Sequence, residues 1–237
     1  MNKKYIVKYY GHSAYSVETK NYYLFFDYVG DAEELINDTL LSVSQSKVDF
    51  DKIKKPIVMF NSHTHFDHYN RKLNEELSLN ENIYTIVGGY VDKLKNTTYL
   101  LPGDSINIKG IQINAEISTD IGVCYLIEVD GILIYYAGDN IDWGGKDTLV
   151  MYLTSMYNLS EVIDNRTLDI AFVPVCNYSG QMYESITDSA MYICREFGAK
   201  EVYPMHSKEN NLPYTKFKKY CEELNLNFEV KILPKEK

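Results

Sequence analysis

The sequence predicts an α+β protein, a four-layer αβ/βα sandwich in which two mixed β-sheets lie face to face with helices on both outer faces. Three observations predict it. The chain opens with short strand-like runs, a block of strand signals fills residues 98 to 137, and each strand-rich stretch gives way to alternating strand and helix patterns. A pattern of strands followed by strand and helix, met twice, is satisfied by two sheets that each bury one face and carry helices on the other.

Residues Tyr5 to Tyr9, Ala14 to Glu18 and Tyr22 to Phe26 read as three strands of an antiparallel meander, broken at Gly11-His12-Ser13 and Thr19-Lys20-Asn21. Leu35, Ile36, Leu40 and Leu41 are spaced for one helical face and predict a helix within 31 to 46. The apolar run Ile57-Val58-Met59-Phe60 predicts a buried strand, with Asn61-Ser62 turning out of it. A short helix at Arg71 to Leu77, a strand at Ile83 to Val87 and a helix near Val91 to Leu94 follow.

Strands are next expected at Thr98 to Leu100, Ser105 to Ile108, Ile111 to Ile117, Val123 to Val129 and Ile132 to Tyr136, with Asp130-Gly131 as a hairpin turn. A helix over 147 to 163, a buried strand at Ile170 to Val175 and an amphipathic helix at Ser185 to Phe197 come after them. Glu201-Val202-Tyr203 leads into Pro204-Met205-His206, and a helix at Tyr214 to Leu224 precedes a terminal strand at Phe228 to Leu233. No Pro/Gly/Ser-rich linker interrupts the 237 residues, so one domain spanning 1–237 is expected.

The formal charge of −9 argues against a surface that coats nucleic acid, because phosphate binding draws on Lys and Arg. The four cysteines, Cys124, Cys176, Cys194 and Cys221, are far apart and include no Cys-x-x-Cys pair, which suits reduced core thiols. No run is apolar enough for a secretory signal or a membrane span, and a cytoplasmic protein without a membrane partner is expected. The 22 tyrosines are scattered, as strand and surface residues are, and do not mark an aromatic platform.

Chemistry concentrates in His63-Thr64-His65-Phe66-Asp67-His68, where three of the five histidines and a carboxylate occupy six residues. Neutral imidazole is the commonest ligand for zinc and its neighbours, and a carboxylate oxygen suits zinc, manganese or iron. Lying just after a strand, such ligands are held rigidly yet open to solvent. Asp139, after Ile134-Tyr135-Tyr136-Ala137-Gly138, and His206, after Val202-Tyr203-Pro204-Met205, are ligand-type residues at two further strand ends.

The His-x-His-x-Asp-His order resembles the signature of the metallo-β-lactamase superfamily. Gly11-His12-Ser13-Ala14 and Leu24-Phe25-Phe26-Asp27 resemble the opening of its ascorbate-6-phosphate lactonase-like metal-dependent hydrolases. The resemblance covers nearly the whole chain. It implies His63 and His65 on a first metal, Asp67, His68 and His206 on a second, and Asp139 bridging both. It also implies hydrolysis of a small ester, lactone or phosphoester by a metal-bound hydroxide. One or two divalent transition metals are expected, zinc foremost, with manganese or iron as alternatives.

One departure stands out. The family's third histidine on the first metal has no counterpart in Ala115-Glu116-Ile117-Ser118-Thr119-Asp120-Ile121-Gly122-Val123, and the only histidine left over is His12. Asp120 or Ser118 could replace it as an oxygen ligand, His12 could swing in, or the protein could work with one metal; the first is favoured, and it would shift preference from zinc toward manganese or iron. Asp27 and Ser118 are expected to support the ligands from outside. His12 is a candidate proton donor and pocket wall, beside Asp67 as a catalytic carboxylate, and Trp143, Asn177 and Tyr178 are candidate pocket residues. The alternatives in function are a non-catalytic metal-binding sensor or ligand-binding protein on the same scaffold and, less favoured, a nuclease.

Overall fold

In the computed structural model, which describes residues 4–91, 93–208 and 211–237, the chain forms two compact units. The first comprises residues 1–100 with 233–237, the second 101–232.

The first unit is built on a six-stranded mixed sheet. β1 (Ile6–Gly11), β2 (Ala14–Glu18) and β3 (Tyr23–Phe26) form the expected antiparallel meander. β6 (Ile57–Asn61), β7 (Ile83–Gly88) and β8 (Thr97–Leu100) extend it in parallel from β3. β6 has a parallel partner on each side and is buried along its whole length, and Ile57–Phe60 reads as an uninterrupted apolar run because an interior strand of this kind has both faces covered. Tyr10, Phe25, Ile57, Met59 and Ile83 form a core against which Phe50 and Ile53, from a 3-10 turn and its exit, and Leu73 of α1 (Arg71–Leu77) pack. The last residues return to this unit: Lys235 bridges Tyr9, and the Glu236 N–H donates to the Tyr9 carbonyl at 2.8 Å.

The helix expected within 31 to 46 is instead a two-stranded hairpin, β4 (Asp31–Ile36) and β5 (Thr39–Ser44). Asn37 and Asp38 both take positive φ, +47° and +61°, the geometry of a two-residue turn that matches strand twist. Leu35 and Leu40 face each other across this turn and stay exposed, so their helical spacing corresponds to no buried helical face. Near Val91 to Leu94 no helix forms among the described residues; Asp92 lies outside them, as do residues 1–3 of the amino terminus.

The second unit holds a seven-stranded sheet in the order β15-β14-β13-β12-β11-β10-β9. β9 (Ser105–Ile108), β10 (Ile111–Ile117), β11 (Val123–Val129) and β12 (Ile132–Tyr136) are antiparallel. β13 (Ile170–Pro174), β14 (Glu201–Met205) and β15 (Glu229–Val230) continue in parallel, the terminal strand keeping two of its six expected residues. Pro204 is tolerated in β14 because β15 pairs only with Glu201 and Val202, so the proline lies beyond the paired edge. α2 (Lys146–Ile163), α3 (Glu184–Glu196) and α4 (Leu212–Glu223) pack against β10, β13 and β14 respectively, and their buried residues include Met156 and Leu159, Ile186 and Ile193, and Phe217. Both sheets are mixed, as the sequence predicts.

Candidate functional site

In the first unit, β3 and β6 run in parallel with Phe26 opposite Phe60, so the residues just past their carboxyl ends emerge side by side. Asp27, whose N–H donates to the Phe60 carbonyl at 2.8 Å, thereby meets Ser62 and the histidine segment. Its carboxylate is fully buried and accepts three bonds: from the Ser62 N–H at 2.7 Å, the Ser62 hydroxyl at 2.7 Å and His68 Nδ1 at 2.6 Å. The Ser62 hydroxyl spends its proton on Asp27, so its oxygen accepts the Nδ1–H of His63 at 2.9 Å. One carboxylate therefore fixes the ring orientation of two histidines and leaves Nε2 of each as the lone-pair nitrogen.

The rest of the segment is folded back tightly. The N–H groups of His68 and Tyr69 both donate to the His65 carbonyl, and Asn61 Nδ2 donates to the His68 carbonyl at 2.9 Å. His63 Nε2 lies 3.1 Å from His65 Nδ1, close to the ~3.3 Å edge of a tetrahedron of nitrogens around an ion bound at 2.0–2.1 Å. His63, Asp67 and His68 are buried, whereas His65 is exposed. His12, at positive φ in the turn between β1 and β2, is buried and places Nε2 2.9 Å from Asp67 Oδ2; the ligand atoms of His12, Asp67 and His68 lie within 4.8 Å of one another.

In the second unit, β12 ends in Ala137-Gly138-Asp139, with Gly138 at φ +54° turning the chain so that Asp139 follows directly. Asp139 Oδ2 lies 3.3 Å from His206 Nε2, and His206 Nδ1–H donates to the Cys176 carbonyl at 3.1 Å. A third histidine thus has its outer nitrogen committed and Nε2 turned toward a carboxylate. Trp143 Nε1–H donates to the Asp139 carbonyl, and its ring lies 5.8 Å from that of His206.

Asp120 and Asp139 bring carboxylate oxygens within 4.8 Å of each other. The link is Thr119, whose hydroxyl bonds the carbonyls of Asp139 and Ile141 at 3.0 and 2.7 Å and whose N–H donates to Asn140 Oδ1. Ser118 is buried and its oxygen accepts the Asp120 N–H at 3.3 Å, so it shapes the turn that presents Asp120. Asn177 commits its side chain to its own turn, accepting the Gln181 N–H at 2.9 Å, and Tyr178 lies under Lys208 Nζ, 5.3 Å from its ring centroid. Sequence reasoning missed Ser62, Asn61, Thr119 and Asn140, which carry no ligand chemistry of their own.

The donor set fits a divalent transition metal. Buried imidazoles with Nδ1 committed and Nε2 available, next to buried carboxylates that need a compensating positive charge, are what such an ion recruits.

Residues 6–206 match the profile of the Beta-lactamase superfamily domain. The chain belongs to that superfamily. The fold agrees: Igni18, a metallo hydrolase from the hyperthermophilic archaeon Ignicoccus hospitalis, superposes with a TM-score of 0.68 at 19% identity, covering 98% of this chain and 95% of that one. Isothiocyanate hydrolase from Delia radicum gut bacteria gives 0.64 at 11% identity over 98% and 97% of the two chains. CmlA, a diiron β-hydroxylase from Streptomyces venezuelae, gives 0.62 at 13% identity over 98% of this chain and 54% of its own. The metallo-β-lactamase fold, the αβ/βα sandwich predicted from the sequence, is the one these structures share with this chain. No curated protein gives a significant match.

Proposed function

We propose that this protein is a metal-dependent hydrolase of a small ester, lactone or phosphoester. The observation that carries the reading is the Asp27 carboxylate, which orients His68 directly and His63 through Ser62 so that both present Nε2. In this reading His63, His65, Asp120 and Asp139 hold one ion, and Asp67, His68, His206 and Asp139 hold the other. A bound divalent metal would polarise the scissile group and acidify a water. In this reading His12 holds the Asp67 carboxylate ionised and oriented through its 2.9 Å bond, and Asp67 would orient the attacking water. Trp143 braces Asp139 from its carbonyl side and offers an apolar face for the substrate. Asn177 and Tyr178 complete the pocket wall in the same reading.

Four free, buried thiols suit a reducing, cytoplasmic setting, and among the described residues no helix is long and apolar enough to cross a membrane. Metal analysis of protein purified without chelator should give about one or two equivalents, by the ligand count. Hydrolysis of a generic phosphodiester, lactone or ester should disappear in His65→Ala. A parent protein that takes up no metal and hydrolyses none of these sinks the reading.

A second reading concerns the metal. Asp120 beside Asp139 makes the first position richer in oxygen than a three-histidine site, which supports manganese or iron over zinc; the structural likeness to a diiron enzyme is in line with it. Competition of the three metals for metal-free protein decides between them.

A further inference from the structure

Asp27 orients the histidines only if its own backbone is held, and that backbone is unusual. Asp27 takes φ +43°, a left-handed conformation rare for a residue with a side chain, at the start of the turn Asp27-Tyr28-Val29-Gly30 that leaves β3. One side chain closes this turn. Gln45, directly after β5 and 4% exposed, accepts the Val29 N–H at 2.8 Å and the Gly30 N–H at 3.1 Å on Oε1, and donates from Nε2 to the Asp27 carbonyl at 3.2 Å. Two backbone donors on Oε1 settle which end of the amide is oxygen. Asn70 braces the same turn from the other side, its Nδ2 donating to the Val29 carbonyl at 3.0 Å.

We propose that Gln45 is a positioning residue for metal binding, acting through Asp27: its amide locks the left-handed turn that aims the Asp27 carboxylate at His68 and Ser62. The proposal rests on the metal reading above. It gives the β4–β5 hairpin a role, since the hairpin's return strand is what carries Gln45 back beneath Asp27. Loss of the amide leaves two backbone N–H groups and one carbonyl of the turn without their partner, and the carboxylate is free to rotate away from His68 Nδ1.

The test compares Gln45→Ala with Tyr28→Phe. Tyr28 anchors the same segment, donating to the Ser46 carbonyl at 3.0 Å and accepting the Val48 N–H at 3.1 Å, but makes no bond to Asp27. Titration of metal-free protein with zinc and with manganese should show affinity down about 10- to 100-fold in Gln45→Ala and within about twofold of the parent in Tyr28→Phe, the loss typical of removing an outer support of a metal ligand. In the metal-free proteins, the proton on His68 Nδ1, shifted downfield in NMR by its short bond to Asp27, should move upfield in Gln45→Ala and stay in place in Tyr28→Phe. If Gln45→Ala does not fold, Gln45→Met, which fills the same space without the amide, carries both measurements.

Gln45 variants that bind metal like the parent and keep the His68 resonance overturn the proposal. If the parent and Asp27→Asn alike bind no metal, it is the metal reading that fails, and the resonance still decides whether Gln45 sets the Asp27–His68 geometry.

Discussion

Asp27 Oδ2 and His68 Nδ1 lie 2.6 Å apart with both side chains shut off from solvent, although 41 residues separate them in the chain. A buried carboxylate–imidazole contact of this length is a charge-assisted hydrogen bond, and it is costly to break because neither group can fall back on water.

The first prediction follows from that cost. Asp27→Ala leaves His68 Nδ1 and the Ser62 amide without their buried acceptor and should destabilise the fold by about 3–5 kcal/mol, the usual penalty for removing one partner of a buried pair. Equilibrium denaturation in urea measures it, and a change under about 1 kcal/mol would show that the contact has little energetic weight.

Metal should stabilise the native chain. Added at about 100 times its dissociation constant, a divalent ion should raise stability by about 2.7 kcal/mol, because it binds the assembled ligands and not the unfolded chain. Thermal melts with and without metal test this, and in His206→Ala the increment should shrink. Chelator should reverse the shift in the parent protein.

Thr119→Val keeps the side-chain shape and removes the hydroxyl that ties Asp120's turn to Asp139 and Ile141. The carbonyls of both residues then lose a buried donor, for an expected loss of about 1–3 kcal/mol. Calorimetric metal titration should also show the weaker of two binding steps becoming weaker still, since the Asp120 and Asp139 oxygens are no longer held together.

Burial raises the thiols of Cys124 to about 11 and of Cys176 and Cys221 to about 12 from an ordinary 9.0, and pushes Cys194 up as well. In the unfolded chain these thiols ionise from about pH 9, while in the folded chain they keep their protons. Stability is therefore complete below pH 9 and falls as the pH climbs from there toward 11 or 12. Buried Tyr10, Tyr135 and Tyr152, also raised by desolvation, act in the same direction. Denaturation midpoints at pH 8 and pH 10 test the slope. Iodoacetamide at pH 8 should modify the native thiols slowly and all four cysteines once the chain is unfolded.

Much of the fold is legible in the order of residues, because strands buried by parallel neighbours read as apolar runs and the turns between them carry glycine or aspartate. Ile57–Asn61, between two parallel neighbours, is one example; Ile132–Tyr136, antiparallel to one neighbour and parallel to the other, reads the same way, and each ends beside a candidate ligand. The hairpin at 31–44 is not legible in the same way. Its leucines match helical spacing by coincidence, whereas its real determinant is the Asn37-Asp38 pair at positive φ. Gln45 is not legible either, since an amide in a polar stretch carries no signal until the hairpin returns it to Asp27.

The sequence by itself determined the chemistry: ligand types, the spacing His63-x-His65-x-Asp67-His68 and the absence of a histidine between Ala115 and Val123 are properties of residue order. Tertiary structure alone decided how those groups are held. Parallel pairing of β3 with β6 brings Asp27 to Ser62 and His68, the return of β5 brings Gln45 to Asp27, and Thr119 ties Asp120 to Asp139. Hydrogen bonds of 2.6–3.2 Å between residues 18 to 41 positions apart depend on strand register and turn geometry, and neither is written in any local pattern of the chain.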